Sequence, residues 1–218
     1  DLQTEVEKTG LFYPPDPSNL KVSTIGGSIA LSSGGPRTFK YGSTKDYVVN
    51  LKVVLADGKI IKVGSDTAKN STGYHLNQLF VGSEGTLGIV TEATLKLIPK
   101  PEGSKVILAY FDEVSDAIRA VSEILKNKLA PATLDFMDKK TLQTIEQFYP
   151  VGLLTDKDAA LFLEVDGPLV SLDYQQDRVV EFCKKCGASD IQISKTQEDA
   201  QRIWTARRSA FGACAKLK

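Results

Sequence analysis

The stretch KNSTGYHLNQLFVGSEGTLGIVTEATLKLIPKP, residues 69–101, determines how this chain is organised. It opens with polar residues, continues through a short apolar segment and reaches a glycine loop at residues 82–88. Three glycines at three-residue spacing let the backbone turn tightly and approach a ligand closely. The alternating apolar residues of 89–98 predict a strand, which Pro99 and Pro101 end.

The glycine loop does not match the common nucleotide-binding motifs. A P-loop needs G-x-x-x-x-G-K-[ST], and the dinucleotide fingerprint needs G-x-G-x-x-G before a helix. Here the spacing is G-x-x-G-x-x-G, and the pattern that follows is that of a strand. Two interpretations are equally supported by the residues alone. The loop is either a tight structural turn or a ligand cradle whose backbone amides face an anion or a flat polar ring.

Composition limits the classes of function. The chain has 218 residues, 42% hydrophobic and 25% charged, with 27 basic and 27 acidic side chains. A net charge of zero argues against bulk nucleic-acid binding. No apolar run approaches the ~20 residues of a membrane span. Three cysteines suit a reducing compartment, so we expect a cytoplasmic protein. One histidine cannot build a histidine-rich metal site, and we expect no metal in this stretch.

A proline loop lies upstream, at residues 12–18. Pro14, Pro15 and Pro17 fix φ and remove three N–H donors, which predicts a stiff, extended segment. On the residues alone, a rigid connector is the favoured interpretation.

Residues 22–42 are dense in small side chains, which let a flat ring or a pyrophosphate approach the backbone. The glycine pairs Gly26-Gly27 and Gly34-Gly35 bracket residues 28–33, where we expect two turns of helix ended by the second pair. Residues 46–63 predict a β-hairpin of the core, with a type I′ turn at Asp57-Gly58.

After Pro101, strand and helix patterns alternate. The expected strands are 105–111, 133–137, 159–165 and 190–194; the expected helices are 115–128, 139–148, 172–186 and 198–218. This order predicts an antiparallel, ferredoxin-like sheet with helices on one face. The fold class is therefore α+β, with domains at residues 1–101 and 102–218.

Four motifs carry a resemblance to a known family. They are LFYPPDPS at residues 11–18, TIGG at 24–27 with GGPR at 34–37, KYG at 40–42, and FVGSEGTLG at 80–88. In this order and spacing the chain resembles the FAD-linked oxidases of the vanillyl-alcohol oxidase (PCMH) type. Within that family it is most similar to the group of glycolate oxidase FAD subunits and D-lactate dehydrogenases.

The resemblance implies a domain assignment. Residues 1–101 correspond to the C-terminal part of a PCMH-type FAD-binding domain, and residues 102–218 to a truncated substrate cap domain. The family has a further glycine-rich subdomain upstream and further segments downstream. We therefore expect this chain to be an internal fragment of a longer protein, which a mass measurement of the purified material tests.

The resemblance also implies FAD as the cofactor and a set of residues along it. The set is Pro15, Asp16, Ser18, Thr24, Gly26, Gly27, Ser28, Lys40, Tyr41, Gly42, Gly82, Glu84, Gly85, Gly88, Ile89 and Val90. Ser28 departs from the asparagine commonly seen at its position; it keeps a donor but has a shorter reach.

The activity implied is FAD-dependent dehydrogenation of a small 2-hydroxy acid such as glycolate or D-lactate. In the family, a proton leaves the hydroxyl, hydride passes from the α-carbon to flavin N5, and the electrons go to a partner rather than to NAD. The implied partners are an iron–sulfur subunit and a second FAD-type subunit, which can hold the protein at the inner membrane face. The catalytic base is not assigned, because its segment has no counterpart in this chain.

Arg207, in the pattern Trp204-x-x-Arg207, matches a residue that in the family contacts the substrate carboxylate, and a guanidinium suits a carboxylate. Phe211 stands where members that take dicarboxylates carry threonine, which favours a small substrate. Two alternatives stay open: a flavin oxidase of the same fold with another substrate, such as an ether-lipid synthase or aromatic-alcohol oxidase, and a noncatalytic assembly module without flavin.

His75 and the cysteine pair are interpreted as structural. His75 lies in a polar loop without an evident partner to tune its pKa, which favours a surface residue over a catalytic base. Cys183-x-x-Cys186 lies in a helical pattern without a second pair. It is therefore interpreted as buried structural thiol rather than a metal or redox site.

Overall fold

The computed structural model describes residues 1–67 and 69–217. The chain divides into two compact units, Asp1–Lys100 and Pro101–Lys218. Both units combine helices with antiparallel strands, so the predicted α+β fold class is confirmed.

Unit 1 (residues 1–100) is built on a small antiparallel sheet. Its helices are α1 (Leu2–Glu7), α2 (Ile25–Leu31), α3 (Thr38–Tyr41) and α4 (Leu76–Phe80), and its strands are β1 (Leu11–Phe12), β2 (Val48–Val54), β3 (Ile60–Gly64), β4 (Ile89–Leu95) and β5 (Ile98–Pro99). The strand order is β3-β2-β4, and β1 pairs separately with β5. Leu51 and Val53 alternate along β2 onto one face, where Ile29 of α2 and Phe80 of α4 cover them.

The hairpin between β2 and β3 forms, but its turn is not type I′. A type I′ turn needs positive φ at both central residues. Gly58 has φ +82°, whereas Asp57 does not have a positive φ. The Gly58 N–H donates to the Leu55 carbonyl, and the Leu55 N–H to the Lys59 carbonyl. This is the pattern of a three-residue loop with glycine at its left-handed position.

Helix α2 begins earlier than predicted. The Thr24 hydroxyl accepts a hydrogen bond from the Gly27 N–H at 3.0 Å and caps the helix, so Gly26 and Gly27 lie in its first turn. The helix ends at Ser32, which has a left-handed conformation, and not at the second glycine pair.

The strand predicted at residues 89–98 is interrupted. It ends at Leu95, and the Lys96 N–H donates to the Tyr47 carbonyl. Ile98 and Pro99 then form β5 and pair with Phe12 and Leu11. A single strand therefore becomes two short ones in different sheets.

Unit 2 (residues 101–217) alternates strands and helices. Its strands are β6 (Gly103–Phe111), β7 (Thr133–Asp138), β8 (Ala159–Gly167) and β9 (Ala188–Ile193), and its helices are α5 (Val114–Lys126), α6 (Lys139–Phe148), α7 (Leu169–Lys185) and α8 (Gln197–Cys214). The sheet is antiparallel with the order β7-β8-β6-β9, which is a ferredoxin-like arrangement. The predicted bounds agree within three residues except at the end of α8, where Ala215–Leu217 is a 3-10 helix.

The prediction that helices cover one face of this sheet was wrong. Helices α5 and α7 cover one face through Ile124, Val179 and their neighbours, and α6 and α8 cover the other. Successive residues of 106–111 in β6 and 159–163 in β8 therefore all face a core, and these two stretches are continuous apolar runs rather than alternating ones. That absence of alternation in both strands was the signal for two covered faces.

Candidate functional site

A cavity of about 570 Å³ opens in unit 1 between α1, the proline loop and the start of α2. Three of the predicted cofactor residues, Pro15, Thr24 and Ser28, line it. The lining also includes Gln3, Tyr13, Leu20, Lys21, Ile25 and Thr44. The volume lies in the usual range of small-molecule sites. The wall combines hydroxyls, an amide and apolar side chains, and one lysine is the cation among these residues.

The first turn of α2 is part of the wall. Thr24 caps the helix, and Ser28 is 7% exposed, with its N–H donating to the Thr24 carbonyl. A Cβ at Gly26 would meet nothing within 4 Å, whereas one at Gly27 would lie 3.1 Å from the Thr24 hydroxyl. Packing within the chain therefore does not require glycine at 26. The open space is what a bound group lying against this turn would need.

The proline loop is held in place from two sides. The Gln3 side-chain amide donates to the Tyr13 and Pro15 carbonyls, both at 3.0 Å. The Asp16 carboxylate accepts from the Arg37 N–H at 3.2 Å. A Cβ at Gly35 would come within 2.1 Å of the Asp16 carbonyl, so this glycine lets two loops meet. Proline fixes the local conformation, and these contacts fix its position. Ser18, the last residue of the loop, is exposed.

The Tyr13 hydroxyl is a buried polar group at the cavity. The residue is 3% exposed, and within the described part of the chain its oxygen has no hydrogen bond of acceptable geometry. Burial raises the pKa of Tyr13, the nearby Thr44 hydroxyl lowers it, and the net direction is upward, so the phenol is neutral at pH 7. An unsatisfied buried hydroxyl costs about 1–3 kcal/mol. A ligand polar atom in the cavity would remove that cost.

Lys40, Tyr41 and Gly42 lie together at the end of α3. Gly42 ends the helix with φ +83°, and a Cβ there would come within 2.4 Å of the Asp46 carboxylate. Lys40 Nζ lies 5.2 Å from the centre of the Tyr41 ring, and Tyr41 packs edge-on against Phe12. Contacts within the protein thus account for the conformation of this motif. Its contact with a cofactor stays a prediction.

The glycine loop is tied to α2. The Gly82 N–H donates to the Ile29 carbonyl and the Glu84 N–H to the Ala30 carbonyl, at 2.9 and 3.0 Å. The Ser83 and Thr86 amides donate to the Phe80 and Ser83 carbonyls. Four of the seven amides of the loop are therefore used within the protein. This favours the structural-turn interpretation for that part and makes the loop a support for the helix that lines the cavity.

Three further predicted residues connect the loop to the sheet. A Cβ at Gly88 would lie 2.6 Å from a Val53 methyl and 2.8 Å from the Val54 carbonyl, so β4 can approach β2 only with glycine here. Ile89 and Val90 pair with Val54 and Val53. Ile89 is 61% exposed. Gly85 has φ +77°, a conformation that disfavours side chains.

Arg207, the predicted substrate contact, lies in unit 2 and forms an ion pair with Asp135. Its Nε donates to Asp135 Oδ2 at 2.5 Å, and the two side chains are only 20% and 26% exposed. The pair connects α8 to the edge strand β7.

Further polar residues share the sheet face of Asp135. Thr133 lies two residues before it, and Glu164 is the cross-strand partner of Thr133. Thr133, Glu164 and Asp166 are 0%, 4% and 6% exposed. The Thr133 hydroxyl has no hydrogen-bond partner in residues 1–67 and 69–217. These buried polar groups share the sheet face whose other inward residues form the apolar core under α6 and α8.

The remaining candidates are structural. His75 is exposed and precedes α4. Cys183 and Cys186 are 0% and 4% exposed within the core of unit 2, and burial, with the neighbouring Cys186, raises the pKa of Cys183 to about 12. The residues with assigned positions contain no group of three or more metal-ligating side chains and no helix suited to crossing a bilayer.

Sequence patterns alone missed four residues. Gln3, Tyr13 and Thr44 line the cavity in unit 1, and Asp135 binds Arg207 in unit 2. Tyr13 lies inside the motif LFYPPDPS at residues 11–18, and its position beside the predicted cofactor residue Pro15 was a signal that could have identified it. Gln3 and Asp135 act through contacts 10 to 72 residues away in sequence, and no local pattern marks them.

In a comparison with known protein families, each of the two units matches a family model of its own. Residues 100–218 match the family "FAD linked oxidases, C-terminal domain", and residues 1–64 match "FAD binding domain". The resemblance inferred from the four motifs is confirmed.

Individual relatives point the same way. The chain is 50% identical to glycolate oxidase subunit GlcD of Bacillus subtilis (strain 168), covering 100% of this chain and 46% of that protein. It is 38% identical to a D-lactate dehydrogenase of Anaerostipes hadrus, covering 98% and 46%. A solved alkyldihydroxyacetonephosphate synthase shares the fold, with a TM-score of 0.78 at 22% identity over 99% of this chain and 43% of that one. The chain thus spans a little under half the length of these relatives.

Proposed function

Because this chain belongs to the FAD-linked oxidases, we propose that the protein is an FAD-dependent oxidoreductase acting on the CH–OH group of a small 2-hydroxy acid, such as glycolate or D-lactate. The observation that carries the proposal is the agreement of its relatives. Glycolate and D-lactate, the compounds in their names, are both 2-hydroxy acids of two or three carbons.

The unit 1 cavity fits the role of a flavin site. Its wall contains Tyr13, whose hydroxyl is buried, and Thr24, Ile25 and Ser28 at the capped first turn of α2. The neighbouring Gly26 has open space beside it. We assign contacts with FAD to the predicted residues around this turn, Pro15, Thr24, Gly26, Gly27 and Ser28, with Tyr13 added. When bound, the flavin supplies the acceptor for the two electrons of the alcohol.

The predicted residues farther from the cavity are assigned a supporting role. The glycine loop and the Lys40-Tyr41-Gly42 motif fix the backbone around α2 and the proline loop, as the hydrogen bonds of Gly82 and Glu84 to α2 illustrate. Direct contacts of these two motifs with the cofactor remain part of the proposal. Unit 1 is thereby proposed as the cofactor-binding domain.

Unit 2 is proposed as the substrate domain. Arg207 is a cation on a face that also carries Thr133, Asp135 and Glu164. A guanidinium binds a carboxylate in a defined orientation, which is what a 2-hydroxy acid requires if its α-carbon is to meet a flavin. The exposed Phe211 lies one helical turn beyond Arg207 and offers no second cation or hydroxyl. We therefore propose a monocarboxylate of two or three carbons.

Partners are proposed from the word "subunit" in the names of the relatives. We propose that the protein works in an assembly with an iron–sulfur subunit and a second FAD-type subunit, in the cytoplasm or at the inner membrane face. Pull-down of a tagged protein from its natural source, followed by mass spectrometry and iron analysis, tests this. Recovery of the tagged protein alone would contradict it.

The function is tested by the visible spectrum of the complete natural polypeptide that contains this sequence, with FAD added and without oxygen. A flavin spectrum that bleaches on glycolate or D-lactate supports the proposal. A bound flavin that bleaches only with aromatic or other alcohols would move the protein to the alternative with another substrate. No bound flavin at saturating FAD would support the noncatalytic module.

A further inference from the structure

Gln3 joins two adjoining walls of the cavity in unit 1. Residues 2–4 of α1 line one side of the cavity, and Tyr13, Pro15 and Pro17 of the proline loop line another. The Gln3 Nε2 group donates to the Tyr13 and Pro15 carbonyls, each at 3.0 Å. These two bonds hold the walls in one relative position, and that position sets the shape of the space they enclose.

The proline loop depends on donors from outside itself. Three of the seven residues of 12–18 are proline and have no N–H group, so the loop can form few backbone bonds of its own. A side-chain amide has two N–H donors, which matches the two carbonyls that Gln3 contacts. Because these carbonyls lie on either side of Pro14, one planar amide fixes the orientation of the loop as well as its distance from α1.

Helix α1 is short, and its other attachments are weak. Six residues are too few for a helix that is stable alone, and Val6 is the one buried residue of α1. The ion pair of Glu7 with Lys100 is exposed enough to add little. The proline loop, by contrast, has a second anchor at Asp16. Loss of the Gln3 bonds should therefore release α1 from the cavity and leave the loop and the core of unit 1 in place.

We propose that Gln3 is a positioning residue for the ligand of this cavity, acting through the Tyr13 and Pro15 carbonyls to hold α1 against the proline loop. The ligand class is a flavin nucleotide, and for that identity the inference rests on the proposed function. When only a fraction of the molecules has a formed site, the apparent Kd rises by the inverse of that fraction. Freeing α1 should therefore raise the Kd of FAD without unfolding unit 1.

Two substitutions of Gln3 separate hydrogen bonding from side-chain size. Gln3→Met has a similar length and no N–H group, and Gln3→Glu keeps the shape but turns a carboxylate towards the two carbonyls. Since a carboxylate in the first turn suits the helix dipole, Gln3→Glu does not weaken α1 as a helix. Gln143→Glu is the matched control, because Gln143 donates to the Thr155 carbonyl at 3.2 Å in unit 2 and does not line the cavity.

The complete natural polypeptide is used, and three quantities are measured. They are the Kd of FAD from flavin fluorescence, amide hydrogen exchange of the FAD-free protein, and the midpoint of urea unfolding. At pH 7.5 we expect both Gln3 variants to raise the Kd at least tenfold and to speed exchange in α1 severalfold, with exchange in β2 unchanged. Gln143→Glu should leave the Kd and the exchange of α1 as in wild type.

The dependence of the Kd on pH distinguishes a hydrogen-bonding role from a merely structural one. A protonated carboxyl has an O–H to donate, so the Kd ratio of Gln3→Glu to wild type should shrink as the pH falls towards about 4.3, the ordinary pKa of glutamate. The ratio for Gln3→Met should stay constant. Asp1, Tyr13 and Lys21, the titratable residues of the cavity wall, are common to all these proteins, and their contribution cancels in the ratios. A residue that only stabilised the fold would lower the urea midpoint and leave the Kd unchanged, because the unfolded fraction in water stays negligible.

The outcomes separate this inference from the proposed function. If wild type binds no FAD but Gln3→Met speeds exchange in α1, the proposed function fails and the role of Gln3 in holding the cavity wall stands. If a 2-hydroxy acid reduces the bound flavin and both Gln3 variants bind FAD as tightly as wild type, the function stands and the positioning role is overturned. A Kd ratio of Gln3→Glu that does not change with pH, or unchanged exchange in α1, would overturn that role as well.

Discussion

At the scale of single residues, the chain uses buried and partly buried polar groups in two distinct ways. Glu146 illustrates the first, because its carboxylate accepts the backbone N–H groups of Val151, Gly152 and Leu153 and so closes the loop after α6. Tyr13 and Thr133 illustrate the second, since their hydroxyls are buried and have no hydrogen-bond partner among residues 1–67 and 69–217. Satisfied groups of the first kind stabilise the fold, and unsatisfied ones cost stability that a ligand can restore.

Glu146→Gln should therefore destabilise unit 2. An amide keeps one acceptor oxygen but loses the charge, so we expect a loss of roughly 2 kcal/mol at pH 7 in urea unfolding. Glu181→Gln is the control, because it disrupts only helix-surface ion pairs with Arg178 and Lys185 and should cost much less. An equal loss of unfolding free energy in the two variants would show that the contacts of Glu146 with the loop stabilise unit 2 no more than a surface ion pair does.

The pH dependence of the Glu146 contribution has a defined sign. Burial raises the pKa of Glu146, but the three backbone donors and Arg202 outweigh it, and the net pKa is lowered. A lowered folded-state pKa gives stability that is fully present above the unfolded pKa, about 4.3, and is lost as the pH falls through the folded value. The stability difference between wild type and Glu146→Gln should shrink below about pH 4. A difference that persists to pH 2 would contradict this account.

Thiol reactivity is the second prediction at this scale. Cys183 and Cys186 are buried, with the pKa of Cys183 raised to about 12, whereas Cys214 is exposed. Since the thiolate is the reactive form, iodoacetamide at pH 8 should label Cys214 in the native protein and the other two only after unfolding. Peptide mass spectrometry identifies the labelled positions. Native labelling of Cys183 at a comparable rate would show that the helix end opens.

At the scale of elements, the sequence predicted whether a segment is a helix or a strand better than it predicted where the segment begins and ends. It also predicted the segment type better than which faces of a sheet are covered. The strands and helices of unit 2 were found from periodicity and length. The start of α2 was misplaced because two glycines argue against a helix, while the Thr24 cap overrides that preference. The second covered face of the unit 2 sheet was missed. A strand that is apolar without alternation needs packing partners on both of its faces, and the prediction placed helices on one face only. Long-range contacts such as Gln3 to Pro15 have no local signature.

Two glycine substitutions separate the roles of α2 and the glycine loop. Gly26→Ala adds a methyl group where the protein leaves open space, so the FAD-free protein should be as stable as wild type or up to about 1 kcal/mol more stable. If the cofactor lies against this turn, FAD affinity should fall at least tenfold. Gly88→Ala instead forces a methyl group into Val53 and should lower the stability of unit 1 by roughly 1–3 kcal/mol.

Flavin fluorescence titration and urea unfolding of the FAD-free protein measure the two effects. Unchanged FAD affinity in Gly26→Ala would remove the first turn of α2 from the cofactor site. A stable Gly88→Ala protein would show that β4 can shift without cost.

At the scale of the whole molecule, the chain holds two units with separate cores, and the proposed chemistry divides between them. Unit 1 carries the cavity and the motifs of the FAD-binding family, and unit 2 carries the Arg207 face. The four motifs suffice to identify the family, because each is a short run of adjacent residues and all four occur in order in one chain. The sites themselves were only partly predictable, since a cavity wall is assembled from helix, loop and strand residues that are far apart in sequence.

This division can be tested with a matched pair of core substitutions. Leu51 and Leu108 are both 0% exposed, the first under α2 in unit 1 and the second under α6 and α8 in unit 2. Each Leu→Ala change should cost about 2–5 kcal/mol in its own unit. We expect Leu51→Ala to speed hydrogen exchange in β2 and to weaken FAD binding. Leu108→Ala should speed exchange in β6 and β8 and raise KM for glycolate or D-lactate, with FAD retained. Loss of FAD from Leu108→Ala to the same extent as from Leu51→Ala would contradict the assignment of cofactor and substrate binding to separate units.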